Sequence, residues 1–580
     1  MRVNLFHTAA LCTLAVALVL GLPGPRAQGA TSSNSQSPLG INLARIAYWS
    51  TEIPFLDLMH MPKQWITHTK SDDPWDTNEE QYLDLDSDGW PKSLTAVNDP
   101  KPQQFTSVGV VLSYHLSATP NGYYPSGRYE VLYEGQGTLT YGFDASLVSR
   151  SAGRDVIDIA QASASGIDVR IITTDPKRNG NYLRNVRVVK AESADALAHG
   201  QLFNPAFLKL LQNFRALRFM DWFATNGSPL ASWSGRPLPS NAFWGSPKGV
   251  PIEVAVQLAN TLSADPWLNV PHRADDDYIR QMALLVHGQL GPGQKVYVEL
   301  SNEVWNGIFP QYDYAVSQGR NLWPGQPGAA GGYAWNRSWY GMRVAQMCDI
   351  WKSVWGADGG RVVCILAAQA SSTEDAIDAL TCRYWRGAPC SAHNVDAVAI
   401  APYFGFKVPS AWTAQPDGGL NALFQSLYSQ NDPSIPAKGS LAQASQWEAS
   451  YRTALAAYKL PLIAYEAGQS FANGSAALNN LYFAANRDPR MRAAYMSYLG
   501  QWKANGGQLM LLYSDVSAFD ESGSWGALES IMQTTDPLSS APPKWQAIQQ
   551  FIATNPCWWA GCSSVIGRQG KRGTDVPERR

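Results

Sequence analysis

The sequence predicts an α/β protein built on a (β/α)₈ TIM barrel, with an additional small β-sandwich near the N-terminus. From about residue 200 onward, short apolar runs alternate with amphipathic helical segments, and one further apolar run near the start brings their number to eight. Between about 105 and 195 the pattern is different: short β-rich or alternating stretches separated by Gly, Asn and Pro turns. Alternating buried strands and helices indicate a parallel sheet, and eight of them favour closure into a barrel over an open doubly wound sheet. No Gly-x-Gly-x-x-Gly follows an early strand, so a dinucleotide fold loses support.

The first barrel strand is read at Gly40-Ile41-Asn42-Leu43. The other seven fall at Ala216 to Trp222, Trp267 to Val270, Val296 to Asn302, Val362 to Ala367, Val395 to Tyr403, Leu462 to Glu466 and Gln508 to Tyr513. The sandwich strands are expected at Ser107 to Leu116, Gly127 to Tyr133, Thr138 to Phe143, Val156 to Ile159, Ile167 to Thr173 and Val186 to Val189. Because one barrel-like strand comes first, the sandwich is either an insertion after it or a domain ahead of the barrel. The expected organisation is a signal peptide over 1–30, the first strand and its connection over 38–100 and the sandwich over 101–197. The catalytic barrel follows over 198–553, then a disulfide-containing tail over 554–580.

Arg2, the apolar stretch Ala9 to Leu22 and the break at Pro23-Gly24-Pro25 have the layout of a secretory signal, with cleavage expected near Ala27 to Ala30. The stretch is shorter than the roughly 20 residues a membrane span needs, so no stable span is expected after its removal. Without Cys12, six cysteines remain, an even number suited to an oxidising compartment. The expected pairs are Cys382 to Cys390, Cys557 to Cys562 and Cys348 to Cys364, and no zinc-like spacing is present. A secreted or periplasmic location follows. The formal charge is −2 and charged residues make up 16% of the chain, which gives no electrostatic footprint for nucleic acid.

The 22 Trp and 25 Tyr exceed what one core requires, and such rings suit stacking on sugar faces. Trp222, Trp233, Trp244, Trp305 and Trp525 lie at or after strand ends. Long segments after strands two (Thr225 to Val250), four (Gly307 to Trp335) and six (Gly405 to Trp447) would wall the active face. The acidic run Asp84-Leu85-Asp86-Ser87-Asp88-Gly89 begins like a calcium loop, but the twelfth position is Thr95, which lacks the bidentate carboxylate. A polar hairpin turn is the simpler reading, and no metal or cofactor is expected.

In a (β/α)₈ barrel the active site forms where strands end, so a polar residue closing an apolar strand is a candidate for chemistry. Strand four runs Val296-Tyr297-Val298-Glu299-Leu300-Ser301-Asn302-Glu303, and strand seven runs Leu462-Ile463-Ala464-Tyr465-Glu466. A Glu closing each of these strands, with Asn before the first, resembles glycoside hydrolase clan A. The resemblance spans the barrel. It implies that Glu303 is the acid/base, Glu466 the nucleophile and Asn302 a ligand of the sugar 2-hydroxyl. It also implies that Tyr403 and Arg218 support the nucleophile and that His272 borders the sugar site. Strand eight in that clan ends in Trp, whereas here the run is Tyr513-Ser514-Asp515, leaving Trp525 to take that place from the next loop.

Asp221 and Asp515 end strands two and eight and are further candidates for sugar hydroxyls, with structural pairing the alternative. Glu299, four residues deeper than Glu303 on the same strand face, is expected to be structural. Two carboxyls serve glycoside hydrolysis when one is protonated at the leaving oxygen and the other ionised at the anomeric carbon. Retention needs them about 5–5.5 Å apart, inversion about 6.5–9.5 Å, and the resemblance implies the shorter distance. The expected function is an exported retaining glycosidase acting on a polysaccharide or oligosaccharide. A non-catalytic binder of a cellulose-like polymer on the same scaffold, or a surface protein with no sugar affinity, are the competing readings.

Overall fold

The computed structural model describes residues 34–70, 74–100, 104–115, 123–472 and 474–562. The signal-like segment, Cys12 and the basic tail from Arg568 lie outside these residues. Eight parallel strands close into a barrel: Leu39–Asn42, Ala216–Arg218, Asp265–Val270, Val296–Leu300, Val362–Ala367, Ala397–Ile400, Leu462–Ala464 and Met510–Leu512. Closure is through the first and last strands, with Leu39 opposite Met510 and Ile41 opposite Leu512. Every expected barrel strand is present, but several ladders end before their apolar runs do. The run from Ala216 to Trp222 leaves the ladder after Arg218, and that from Val395 to Tyr403 leaves it after Ile400. Apolar pattern reports burial, and burial continues into the loops above the barrel after the backbone has turned away.

Period-two alternation sorts the strand residues into two cores. Inward residues such as Ala216, Trp267, Tyr297, Ile365, Ala399 and Leu511 fill the barrel interior. Outward neighbours such as Leu217, Leu268, Val298, Leu366 and Leu512 pack among the helices. Gly40 is required at the closing seam, because a Cβ there would lie 2.7 Å from the Ala216 carbonyl oxygen and 2.8 Å from Leu511 Cγ.

Between the first and second barrel strands the chain builds two antiparallel four-stranded sheets. One is ordered Ile66–His68, Ser107–Leu112, Ile167–Thr174, Gly137–Phe143, and the other Ala145–Ser151, Arg154–Ile159, Gly127–Glu134, Arg184–Lys190. Val108, Val110, Val131, Ile157, Val169 and Val188 share one core between them. Two of these strands escape the sequence reading. Ile66–His68 is only three residues long, and Ala145–Ser151 is exposed at every position after Ala145, so neither carries a legible alternation. At the junction with the barrel, buried Asp57 accepts the backbone N–H groups of Met59 and Val188. Nearby, the His60 ring stacks on Trp244 at 3.6 Å.

Two disulfides join Cys382 to Cys390 and Cys557 to Cys562. The expected third bridge is not formed: Cys348 and Cys364 are free thiols, both fully buried between the helix Tyr333–Trp355 and strand five. There they pack as small apolar side chains, and burial pushes the Cys348 thiol well up. The acidic run near Asp84 is a polar hairpin whose carboxylates are engaged internally. Asp86 accepts from the backbone of Asp88 and Trp90 and from the Tyr182 hydroxyl, and Asp84 pairs with Lys92 at 2.7 Å. Among the described residues, no helix is long and apolar enough to cross a membrane.

Candidate active site

The site is organised around Arg218, which ends strand two and is fully buried. Its Nη1 donates to Glu466 Oε1 at 2.8 Å and to Asn42 Oδ1 at 3.0 Å. Its Nη2 donates to Asn302 Oδ1 at 2.8 Å and to Glu299 Oε1 at 3.0 Å, and its Nε to Glu299 Oε2 at 3.0 Å. All five guanidinium hydrogens are therefore used, and one side chain ties strands one, two, four and seven together. Glu299 also accepts from Trp267 Nε1 at 2.7 Å and from Asn269 Nδ2 at 2.9 Å. Burial pushes its carboxyl up, against the pull of Arg218 and the Trp267 donor toward the ionised form. As expected from its depth, it is fully buried and structural.

Strand four ends just below the mouth, and its backbone then breaks from extended geometry. Ser301 and Glu303 take left-handed conformations with φ of 58° and 43°. Such conformations cost a non-glycine residue on the order of 1 kcal/mol each. They interrupt the alternation, so that Asn302 reaches Arg218 while Glu303 rises beside strand seven. Glu303 is half-buried, accepting from the Tyr465 hydroxyl at 2.9 Å and from Asn306 Nδ2 at 2.8 Å. Burial first, and then the negative charge of Glu466, push its carboxyl up to about 7.

Glu466 follows the last ladder residue of strand seven. Besides Arg218 on Oε1, it accepts the Tyr403 hydroxyl on Oε2 at 2.9 Å. Burial and the neighbouring carboxylate of Glu466 raise Tyr403 well above the usual phenol range, so it stays a donor. Trp525 lies against both Tyr403 and Tyr513, with ring centroids 5.7 and 5.5 Å away. Asp221 accepts from the Tyr513 hydroxyl at 2.9 Å and lines the same opening, its carboxyl pushed up to about 6 mainly by burial.

The structure thus brings together Glu303, Glu466, Asn302, Tyr403, Arg218, Asp221 and Trp525. Other candidates part from this group. Trp222 is 1% exposed and packs on Phe55, Phe207 and Phe219, so it is core and not a sugar platform. Asp515 is also 1% exposed; it accepts the backbone N–H of Ala44 and lies beside buried Glu52, whose carboxyl is pushed well up by burial and by the Asp515 charge, which makes it part of the scaffold. Trp244, stacked on His60, is buried as well. His272 is buried against Tyr314, and burial lowers it to about 4, leaving a neutral ring with an unpartnered Nδ1. Trp305 is half-buried after Glu303, and Trp233 is covered by Arg236 at 4.1 Å.

Sequence reasoning missed Tyr465, Asn306, Asn42 and Asn269. A usable signal existed for the two strand residues: Asn42 and Asn269 are polar residues on otherwise apolar strands, the first in register with Arg218 and the second with Glu299. Tyr465 was readable as the inward residue two after Ile463. Asn306 lies in a loop that no pattern marks.

No family model and no curated protein matches the chain. Solved structures similar to it include a GH5-4 broad specificity endoglucanase from Bacteroides salanitronis, at 11% identity and TM-score 0.33, covering 60% of this chain and 86% of that one. A 4-O-alpha-L-rhamnosyl-beta-D-glucuronidase from Fusarium oxysporum aligns at 11% identity and TM-score 0.35, covering 63% of this chain and 68% of that one. A Bacteroides ovatus GH5 xyloglucanase aligns at 9% identity and TM-score 0.31, covering 74% and 94%. The likeness is one of fold, and the chemistry of the site stands on its own geometry.

Proposed function

We propose that the chain is an exported retaining glycoside hydrolase that cleaves O-glycosidic bonds of a polysaccharide or oligosaccharide by double displacement. The observation that carries this reading is the unequal surroundings of two neighbouring glutamates. Glu466 accepts hydrogen bonds from a guanidinium and a phenol, which aim its two oxygens and fix the side chain. Glu303 is pushed up to about 7, where a carboxyl can give and take a proton near neutral pH.

In the first step a Glu466 oxygen attacks the anomeric carbon while the bond to the leaving oxygen breaks and Glu303 protonates that oxygen. In the second, Glu303 takes a proton from water, the water oxygen bonds to the anomeric carbon, and the ester to Glu466 breaks. Asn302 is tethered by Arg218 and by Asn226 at 3.1 Å, leaving an amide hydrogen for a sugar hydroxyl. Tyr403, Arg218 and Trp525 shape the sugar site, and this chemistry calls for no cofactor. Export is supported by the signal-like leader and the two disulfides.

Screening the purified protein against a panel of polysaccharides, scoring binding and reducing-end release together, tests the reading. Release of reducing ends from at least one polymer is expected. Binding without release would move the chain to the non-catalytic alternative.

A further inference from the structure

We infer that the inserted β-sandwich forms part of the substrate-binding surface, holding a stretch of glycan chain that extends beyond the two glutamates. This inference rests on the glycosidase reading. The cleft at the barrel mouth has a volume of about 1260 Å³ and is walled by both parts of the molecule. Pockets that hold a single drug-sized molecule run to roughly 300–1,000 Å³, so the space suits several linked rings. Asp221, Asn226, Tyr513 and Trp525 line it on the barrel side, where Trp525 and Tyr513 adjoin the Tyr403 partner of Glu466. Ile66, Trp75, Val110, Val111 and Phe143 line it on the sandwich side.

The aromatic rings in this cleft are exposed beyond what packing explains: Phe143 is 50% exposed, Trp49 42%, and Tyr48 and Trp75 38% each. Trp75 is fixed in place. Its ring stacks with Phe143 at 5.4 Å and 23°, lies 4.2 Å from the Arg170 guanidinium, and meets His68 edge-on. Held rings with electron-rich faces complement the polarised C–H face of a pyranose and lose little freedom on binding. The polar complement is also present. Gln64 and Asn226 line the same cleft and are open to solvent, so their amides can meet sugar hydroxyls. Exposed flat rings together with amide side chains describe a glycan better than a wholly apolar ligand.

The test compares each variant on a long polymer and on an aryl disaccharide of the same sugar. Phe143→Ala and Trp75→Ala, made separately and checked by thermal melting, should each lower the polymer-to-disaccharide ratio of kcat/KM by about tenfold, equivalent to about 1.4 kcal/mol. Leu147→Ala, an exposed apolar residue of the sandwich that does not line the cleft, should leave the ratio unchanged. An unchanged ratio in both folded cleft variants overturns the inference and leaves the glycosidase reading standing. If the unaltered protein releases no reducing ends, titration calorimetry with the polymer replaces the ratio. Binding that Phe143→Ala weakens then supports the cleft while removing the enzyme, and no binding removes both.

Discussion

Glu299 and Glu303 lie four residues apart, one on strand four and the other past the left-handed break that follows it, and their surroundings differ in kind. Glu299, on the floor of the mouth, meets Arg218 through both oxygens together with an indole and an amide donor, and no solvent reaches it. Glu303, on the rim, has one phenol and one amide, no cation in contact, and the carboxylate of Glu466 close enough to push it up. The single guanidinium is fully used by Glu299 and Glu466 together with Asn42 and Asn302. The next carboxyl above has no cation in contact and is pushed up to about 7, first by burial and then by the negative charge of Glu466. The floor is thus fixed by a full set of donors, while the rim is left able to transfer a proton.

The strongest way to break this contrast is to remove the shared cation. Arg218→Met leaves Glu299 and Glu466 buried without their shared cation, and loss of one member of a buried ion pair costs about 3–5 kcal/mol. A lower denaturation midpoint together with near-complete loss of turnover is expected. Retention of either the midpoint or the activity would show that the cation is not the organising element. Next in size are Glu303→Gln and Glu466→Gln, each expected to lower turnover by about 10²–10⁴ while leaving the fold and polymer binding nearly intact. A loss below tenfold in either points to another carboxylate.

Stability should separate floor from rim in the opposite order. Glu299→Gln places an amide donor among groups that all donate, at an expected cost of about 1–3 kcal/mol in chemical denaturation. Glu303→Gln should cost little. A raised carboxyl favours the folded state at low pH and loses that contribution as pH rises through about 7, so the glutamine variant should also flatten this part of the stability profile. The smallest effect concerns pH alone. Because Glu303 must carry a proton to act first as an acid, kcat/KM should fall as pH rises past about 7. The Tyr465 hydroxyl favours the ionised form of Glu303, so Tyr465→Phe should move this basic limb to higher pH.

The barrel was legible because eight buried strands leave eight apolar runs, and the glutamates because each closes one of them. What remained hidden was set by contacts between distant segments. Trp222 and Trp525 both follow strand ends, but only the fold reveals that one packs on Phe55 and the other on Tyr403. Asp515 and Asp221 look alike in sequence, yet one is sealed beside Glu52 and the other opens on the cleft. Even cysteine number implied a third bridge, whereas Cys348 and Cys364 serve as buried apolar packing. The edge strand Ala145–Ser151 carries solvent-facing residues almost throughout, so hydrophobic pattern had nothing to mark.

The central claim is that Glu466 attacks the anomeric carbon while Glu303 moves the proton, and the stereochemistry of the first product tests it most directly. Proton NMR of the sugar released from a cleaved polymer, recorded before mutarotation, should show the anomer present in the substrate, and a fluorosugar inactivator should label Glu466. Release of the opposite anomer would contradict the account, since it would make water, not Glu466, the attacking group.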